Sequence, residues 1–192
     1  MEFISERVSA ERRPGGVSVV ISARLARGQE ALLIAWVLAW TCCGIYFMYA
    51  LSQPQPPPKE DAITMHQFLL AVLAFWAYFE IRIVRVLLWR LKGFELLRLE
   101  GDRLTIKDSL FRYGKANDYF VDNIQKFGPI TVEETSWKWQ LADSFWTRGG
   151  ERLGFEYQGR KVAFGKGLTR MEALRIAEVL TPALKKARKS VQ

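Results

Sequence analysis

The chain has 192 residues, of which 49% are hydrophobic, and its formal net charge is +8 at neutral pH. This length fits one domain of ordinary size, or a small domain joined to a membrane anchor. No residue from Ala31 to Leu51 carries a charge, and from Ala62 to Phe79 only His66 can ionise. Each of these runs is about as long as a hydrocarbon core roughly 30 Å thick requires. The pattern therefore excludes an ordinary soluble globular protein and predicts two membrane spans.

Residues 1–28 precede the first apolar run and are predicted to form a cytoplasmic N-terminal segment. They contain a Pro-Gly-Gly break, after which β-branched residues dominate between Gly15 and Ala23. β-Branched residues that follow a turn signal are typical of a strand. One short strand is therefore predicted in this segment.

A transmembrane helical hairpin is predicted over residues 29–92, with spans at about 29–51 and 62–91. The linker between the spans, 52–61, contains four prolines. Prolines stop a helix and favour an extended polyproline conformation, so this linker is predicted to be non-helical.

Aromatic and basic side chains mark two candidate surfaces on the hairpin. Trp36 and Trp40 are one helical turn apart and share a face. With Trp76 of the second span, they are predicted to pack against a partner membrane protein; the alternative for the face of Trp36 and Trp40 is contact with lipid. Arginines and lysine at the end of the second span are predicted to reach anionic lipid headgroups; these headgroup candidates are Arg82, Arg85, Arg90 and Lys92.

The distribution of basic residues predicts the orientation of the hairpin. Five basic residues precede the first span and four end the second, whereas the linker contains only Lys59. Loops rich in lysine and arginine stay on the cytoplasmic side. Both termini are therefore predicted to be cytoplasmic, and the proline-rich linker is predicted to lie outside.

Residues 93–192 are predicted to form an α+β domain in which a curled antiparallel sheet is capped by a C-terminal helix. Thr169 and Glu172 have the spacing of a capping box at the start of that helix, and Pro182 is expected to bend or end it. Short strand-like runs separated by turn residues make up the sheet: Phe94–Leu99, Asp102–Lys107, Asp118–Asp122, Phe145–Arg148, Leu153–Tyr157 and Lys161–Phe164.

An aromatic insert interrupts this domain at residues 128–150. Four aromatic side chains fall within ten of its residues, which is more than a solvent-exposed loop usually carries. The insert is therefore predicted to contact a partner through Trp137, Trp139, Phe145 and Trp146. The alternative is that these side chains complete the core of the domain itself.

The order of these parts resembles a group of uncharacterised bacterial two-span membrane proteins with a cytoplasmic domain like the bacterial pleckstrin-homology (PH) fold. The similarity covers about residues 15–187, apart from the insert. It rests on structural motifs: the glycine-led strand Gly15–Ala23, the Trp-rich first span, Leu88–Glu95, Arg103–Ile106, Gly159–Leu168, and Glu172 with Ala173. The resemblance implies a PH-like fold used for binding rather than catalysis, in the bacterial inner membrane.

Chemistry-bearing residues are sparse. His66, the only histidine, is a candidate ligand for a haem iron or a chlorophyll magnesium. The alternative is an interfacial histidine that bonds to headgroups or to the linker. No other cofactor and no metal site is expected, since Cys42 and Cys43 are adjacent and lie in the first apolar run. Gly165-Lys166-Gly167 lacks the spacing of a phosphate-binding loop and is interpreted as a β–α turn.

Two function classes follow from the sequence. The preferred one is a non-catalytic accessory or scaffold subunit, whose helices pack against a larger membrane complex, respiratory or photosynthetic, and whose domain covers its cytoplasmic face. The other is a stand-alone sensor or anionic-lipid-binding module. The expected partners are membrane protein subunits and anionic lipid headgroups rather than nucleic acid, because attraction to headgroups accounts for the scattered positive charge of residues 93–192.

Overall fold

The computed structural model describes residues 2–54, 64–131, 135–144 and 146–191. The chain forms two compact units: residues 26–87, the helical unit, and residues 1–25 with 88–192, the sheet unit. The N-terminal segment 1–28, separated from the C-terminal domain in the sequence-based division, thus supplies strands to the same unit as residues 93–192.

The helical unit contains two long helices. Helix α1 spans Arg27–Ser52, and the chain becomes extended at Gln53. Helix α2 spans Met65–Lys92, and its last turn belongs to the sheet unit. Within the described residues, α1 is the helix that is long and apolar enough to cross a membrane. Most of the predicted linker, residues 55–61, lies outside the described residues.

Side-chain contacts join the two helices. A methyl group on Gly44 would overlap the Trp76 indole, so the close approach of the helices requires glycine at this position. The Trp76 indole Nε1 donates a hydrogen bond to the Trp40 carbonyl oxygen at 2.9 Å. Thr41 Oγ1 lies 2.8 Å from Glu80 Oε1, which adds a polar contact. The tight packing at Gly44 and these two hydrogen bonds therefore contribute to holding the two helices together.

The sheet unit begins with a six-stranded antiparallel sheet whose strands follow one another in chain order. Strand β3, Gly16–Ser22, confirms the predicted strand. It pairs with β4, Gly93–Glu100, although the whole helical unit lies between them in the chain. The remaining strands of this sheet are β1 (Glu2–Phe3), β2 (Val8–Arg13), β5 (Arg103–Leu110) and β6 (Ala116–Phe120).

A second antiparallel sheet contains β7 (Ile124–Pro129), β8 (Glu151–Tyr157) and β9 (Arg160–Lys166). A short 3₁₀ turn, Val121–Asn123, connects it to the first sheet. Strands β8 and β9 confirm the predicted strands Leu153–Tyr157 and Lys161–Phe164, and they form a hairpin. Its two turn residues, Gln158 and Gly159, both have positive φ, as a type I′ turn requires.

The predicted strand Phe145–Arg148 is wrong. Residues 146–148 form turns and bends, and Phe145 lies outside the described residues. The chain before them forms a short helix, α3, at Trp137–Ala142. Aromatic residues favour strands by composition. In this segment, however, Arg90 binds the carbonyl oxygens of Ser144 and Thr147, so these groups do not pair with a neighbouring strand.

Helix α4, Arg170–Val191, closes the sheet unit. The predicted capping box is confirmed: the Thr169 amide donates to Glu172 Oε2 at 2.8 Å, and the Glu172 amide donates to Thr169 Oγ1 at 3.2 Å. Pro182 was expected to bend or end the helix, but the helix continues to Val191. Buried Leu180 and Leu184 flank the proline, so core packing on both sides outweighs the one lost hydrogen bond.

One hydrophobic core joins the two sheets and α4. Buried side chains alternate with less buried ones along β3 and β4, and apolar side chains repeat at helical spacing along α4, so each of these elements contributes one apolar face. Fully or almost fully buried members include Val19, Leu97, Leu104, Leu153, Phe164 and Ile176. The antiparallel sheet with a C-terminal helix predicted from sequence is therefore present, as two sheets rather than one.

The packing at Gly44 gives a test of the helical unit. Gly44→Ala should lower the melting temperature of the full-length protein in detergent, since overpacking a tight site costs typically about 1–3 kcal/mol. Gly28→Ala is the matched control, because no atom lies within 4 Å of a Cβ at Gly28. Equal melting temperatures for the two variants would contradict the described packing.

Candidate interaction site

The segment between β7 and β8 is held in place by a buried arginine. Arg90, from the last turn of α2, is only 2% exposed. Its Nε donates to the Thr147 carbonyl oxygen at 2.9 Å and its Nη2 to the Ser144 carbonyl oxygen at 3.3 Å. Burial, with a smaller effect of nearby Arg7, lowers the pKa of Arg90 to about 10, so the guanidinium stays charged at neutral pH.

The predicted headgroup contact of Arg90 is therefore wrong. The sequence pattern of alternating leucines and basic residues at 87–92 is typical of a helix leaving a bilayer, but this part of α2 already belongs to the sheet unit. The neighbouring Trp89 is also buried, with the Arg148 guanidinium 5.3 Å from its ring centroid. The two side chains contribute to the fold instead of to a lipid surface.

A second set of contacts closes the segment on itself. The Gly150 amide donates to Asp143 Oδ1 at 3.2 Å, and Arg152 Nη2 lies 3.6 Å from Asp143 Oδ2. The Gly167 amide also donates to the Gly150 carbonyl oxygen at 2.9 Å. These bonds, with those of Arg90, fix the segment to both β8 and the turn before α4.

The tryptophans of the insert have different environments. Trp139 is half-buried: its ring lies against Gly150, and the Arg152 guanidinium carbon is 4.8 Å from its centroid. Trp137 is 66% exposed, and Leu141, one helical turn later, is 59% exposed. Trp146 is 37% exposed. Thus α3 packs on the unit through Trp139 and presents Trp137 and Leu141 outward.

This pair, Trp137 and Leu141, is the exposed face of α3. Large apolar side chains on an anchored element lose little conformational freedom on binding, which favours them as contact residues. The sequence predicted Trp137, Trp139, Phe145 and Trp146 as one surface. The structure places Trp139 in the packing of the unit, and Phe145 lies outside the described residues.

The three tryptophans of the helical unit that were predicted to contact a partner also differ in their exposure. Trp40 and Trp76 are half-buried and joined by the hydrogen bond from Trp76. Trp36 is 48% exposed and stacks on Trp40, with ring centroids 6.5 Å apart and planes 9° from parallel. Trp36 is therefore the most accessible of the three.

The other sequence-predicted site residues lie on α2. His66 is exposed in its first turn, and the described residues contain no group of three or more histidine, cysteine or acidic side chains that could hold a metal ion. Arg82, Arg85 and Lys92 are exposed, and Arg82 Nη1 donates to the Tyr78 hydroxyl at 3.1 Å. Pigment ligation by His66 and headgroup binding by these three remain predictions.

Sequence reasoning missed a buried ionic cluster around Glu95. This carboxylate is 1% exposed and accepts a hydrogen bond from the Gly165 amide at 2.7 Å. Lys166 Nζ lies 3.2 Å from Glu95 Oε1 and 2.6 Å from Asp108 Oδ2. Burial raises the pKa of Glu95, and the Lys166 charge opposes that rise. The signal in the sequence was an acidic residue at an inward position of the β4 alternation.

The cluster acts as a structural cross-link between the sheets. Glu95 is on β4 and Asp108 on β5 of the first sheet, whereas Lys166 ends β9 of the second. Burial opposes the charge on Lys166, but the two carboxylates outweigh it and raise its pKa. The Lys166 ammonium therefore bonds to carboxylates on two strands of the first sheet at once, and removing Lys166 would leave the buried Glu95 carboxylate without its cation.

No protein-family model matches this chain, and no curated protein matches it.

The role of Arg90 can be tested by proteolysis. Arg90→Met should speed trypsin cleavage after Lys138 and Arg148, because it removes charged hydrogen bonds worth about 1.5–3 kcal/mol each and so favours local opening. Arg85→Met, which removes an exposed arginine from the same helix, should leave both cleavage rates unchanged. If Arg90→Met also leaves them unchanged, Arg90 does not hold the segment.

Proposed function

We propose that the protein is a non-catalytic integral-membrane accessory or scaffold subunit. Its two helices pack against a larger membrane protein complex, of the respiratory or photosynthetic energy-transducing kind, and its sheet unit covers the cytoplasmic face of that complex. The observation that carries the proposal is the exposed face of α3, in which Trp137 and Leu141 point outward from an anchored helix. An exposed tryptophan on a fixed support is typical of an interface anchor.

The strand pairing supports a two-span arrangement. The Ala23 amide donates to the Gly93 carbonyl oxygen at 3.0 Å, and β3 and β4 pair along their whole length from there. The chain therefore leaves and re-enters one sheet at adjacent points. A chain that returns to the same side must cross a membrane an even number of times, so a crossing by α1 requires a second crossing by α2.

The surface of the helical unit supports contact with lipid or with other membrane helices. Many of its large apolar side chains are exposed, and several are aromatic: Trp36, Tyr46, Tyr49, Phe68, Phe75 and Phe79. Charges at the end of α2, on Arg82, Arg85 and Lys92, fit anionic headgroups on the cytoplasmic side of a bacterial inner membrane.

The order of elements in the sheet unit supports a PH-like fold. Four consecutive antiparallel strands, β3 to β6, are followed by three more, β7 to β9, and then by α4. An antiparallel sheet region closed by a C-terminal helix is what the PH-like resemblance implies, and β1 and β2 add to the edge of the first sheet. PH-like domains serve mostly as binding modules, which agrees with a scaffold role.

A stand-alone anionic-lipid-binding module is the second candidate. It is favoured by the exposed basic residues of α2 and by the net charge of +8. The two functions differ in the size of the native particle. A scaffold subunit solubilised from its own membrane should migrate with other membrane proteins, whereas a lipid-binding module should migrate alone.

Substitutions in α3 test the scaffold proposal. Trp137→Ala should shift the solubilised protein from a large particle to a small one, because losing an interface anchor often costs over about 2 kcal/mol, some 30-fold in affinity. Its melting temperature should stay that of the wild type, since Trp137 is mostly exposed. Size-exclusion chromatography in mild detergent, with the co-migrating membrane proteins identified by mass spectrometry, measures the shift.

Trp139→Ala is the matched control within the same helix. It should lower the melting temperature, because the ring packs on Gly150 and under Arg152. A wild-type particle that is already small, together with salt-sensitive binding to anionic vesicles, would overturn the scaffold proposal in favour of the lipid-binding module.

A further inference from the structure

A groove of about 660 Å³ lies between α4 and the turns at one end of the six-stranded sheet. Its floor includes Val17 at the start of β3, Leu99 near the end of β4, and Pro182 on α4. This volume is within the range of about 300–1,000 Å³ found for small-molecule sites. All of its lining residues belong to the sheet unit.

The groove is open because small residues surround it. Gly15 and Gly101 occupy turns with φ of 94° and 57°, where glycine is favoured, and no atom lies within 4 Å of a Cβ at either position. On the facing side, Ala183 follows Pro182, so α4 presents two short side chains to the groove. Neither wall therefore fills the space.

The chemistry of the lining is unusual in containing only aliphatic residues, glycine, proline and cations. None of the described residues around the groove has an acidic or a neutral polar side chain. Its cations are Arg12, Arg13 and Lys186. Arg13 pairs with Glu11 at 2.8 Å, whereas Arg12 and Lys186 have no ion pair within the described part of the chain.

This lining discriminates between classes of occupant. A buried peptide would bring amide groups that require hydrogen bonds, and the side chains of the lining include no neutral donor or acceptor for them. An alkyl chain has no such requirement and gains from contact with an apolar floor. The two cations at the edge complement one negative charge at the end of such a chain.

We propose that the groove binds a free long-chain fatty acid. The alkyl chain lies on Val17, Leu99 and Pro182, and the carboxylate lies between Arg12 and Lys186. This site is separate in sequence from the exposed face of α3, and the proposal does not depend on the scaffold function.

Photocrosslinking tests the site directly. The full-length protein in lipid nanodiscs is irradiated with a diazirine-bearing palmitate, and the labelled peptides are identified by mass spectrometry. We expect label on the peptides that contain Val17 and Pro182, and we expect excess unlabelled palmitate to remove it. Label found solely on α1 and α2, where a membrane-dissolved fatty acid would react, would overturn the proposal.

Adjacent lysines supply the matched pair of variants. Lys186→Gln should lower labelling of the Val17 peptide about tenfold, because it removes a charged hydrogen bond to the carboxylate. Lys185→Gln removes the same charge from the next residue, which does not line the groove, and should leave labelling unchanged. Both side chains are exposed, so neither variant should affect folding. Equal losses in the two variants would show surface attraction alone and would overturn the site.

Ala183→Trp is an independent test of the site. The bulky indole should block the groove and abolish the label, while the charge of the protein stays the same. A diacyl phospholipid that removes the label when unlabelled palmitate does not would also overturn the proposal, in favour of a membrane lipid as occupant.

Discussion

The antiparallel pairing of β3 with β4 is the constraint on which the rest of the structure depends. Their register runs without a break from Gly16 opposite Glu100 to Ser22 opposite Phe94. All residues of the helical unit are inserted between these two neighbours, so the unit is attached to one sheet through both of its ends. Without the pairing of β3 with β4, the N-terminal strands could fold apart from residues 93–192. With this pairing, both parts of the chain contribute apolar residues to one core.

Buried charged side chains join parts of the sheet unit through ion pairs and hydrogen bonds. Glu95 and Lys166 link the two sheets, and Arg90 fixes the segment that contains α3. Both arrangements begin within six residues of one another, where the chain passes from α2 into β4. Buried ions are costly unless every partner is present, so these groups favour one specific arrangement of the chain at this junction. The exposed face of α3 is fixed as a consequence of that arrangement.

Sequence patterns correctly predicted the elements whose formation depends on residues close together in the chain. The strand Gly16–Ser22, the β8–β9 hairpin and the capping box of α4 each follow from a short motif. Strand β2, Val8–Arg13, was missed because three of its six residues are charged and only its first half has a buried alternation. The partners of Arg90 and Glu95 could not be predicted, since they are about 50 to 70 residues distant in the chain. Trp137 and Trp139 are two residues apart, and only the three-dimensional structure shows that Trp139 packs against the sheet unit while Trp137 is exposed.

The proposed two-span arrangement, in which both ends of the helical unit lie on the same side of a membrane, is tested most directly by cysteine accessibility. Cys42 and Cys43 are first replaced by serine, and a single cysteine is introduced by Pro56→Cys in the linker or by Tyr113→Cys, a position 85% exposed in the sheet unit. A membrane-impermeant maleimide should label the Pro56→Cys protein in intact cells and the Tyr113→Cys protein only after permeabilisation. Labelling of both proteins in intact cells, or of neither, would place linker and sheet unit on one side and contradict the account.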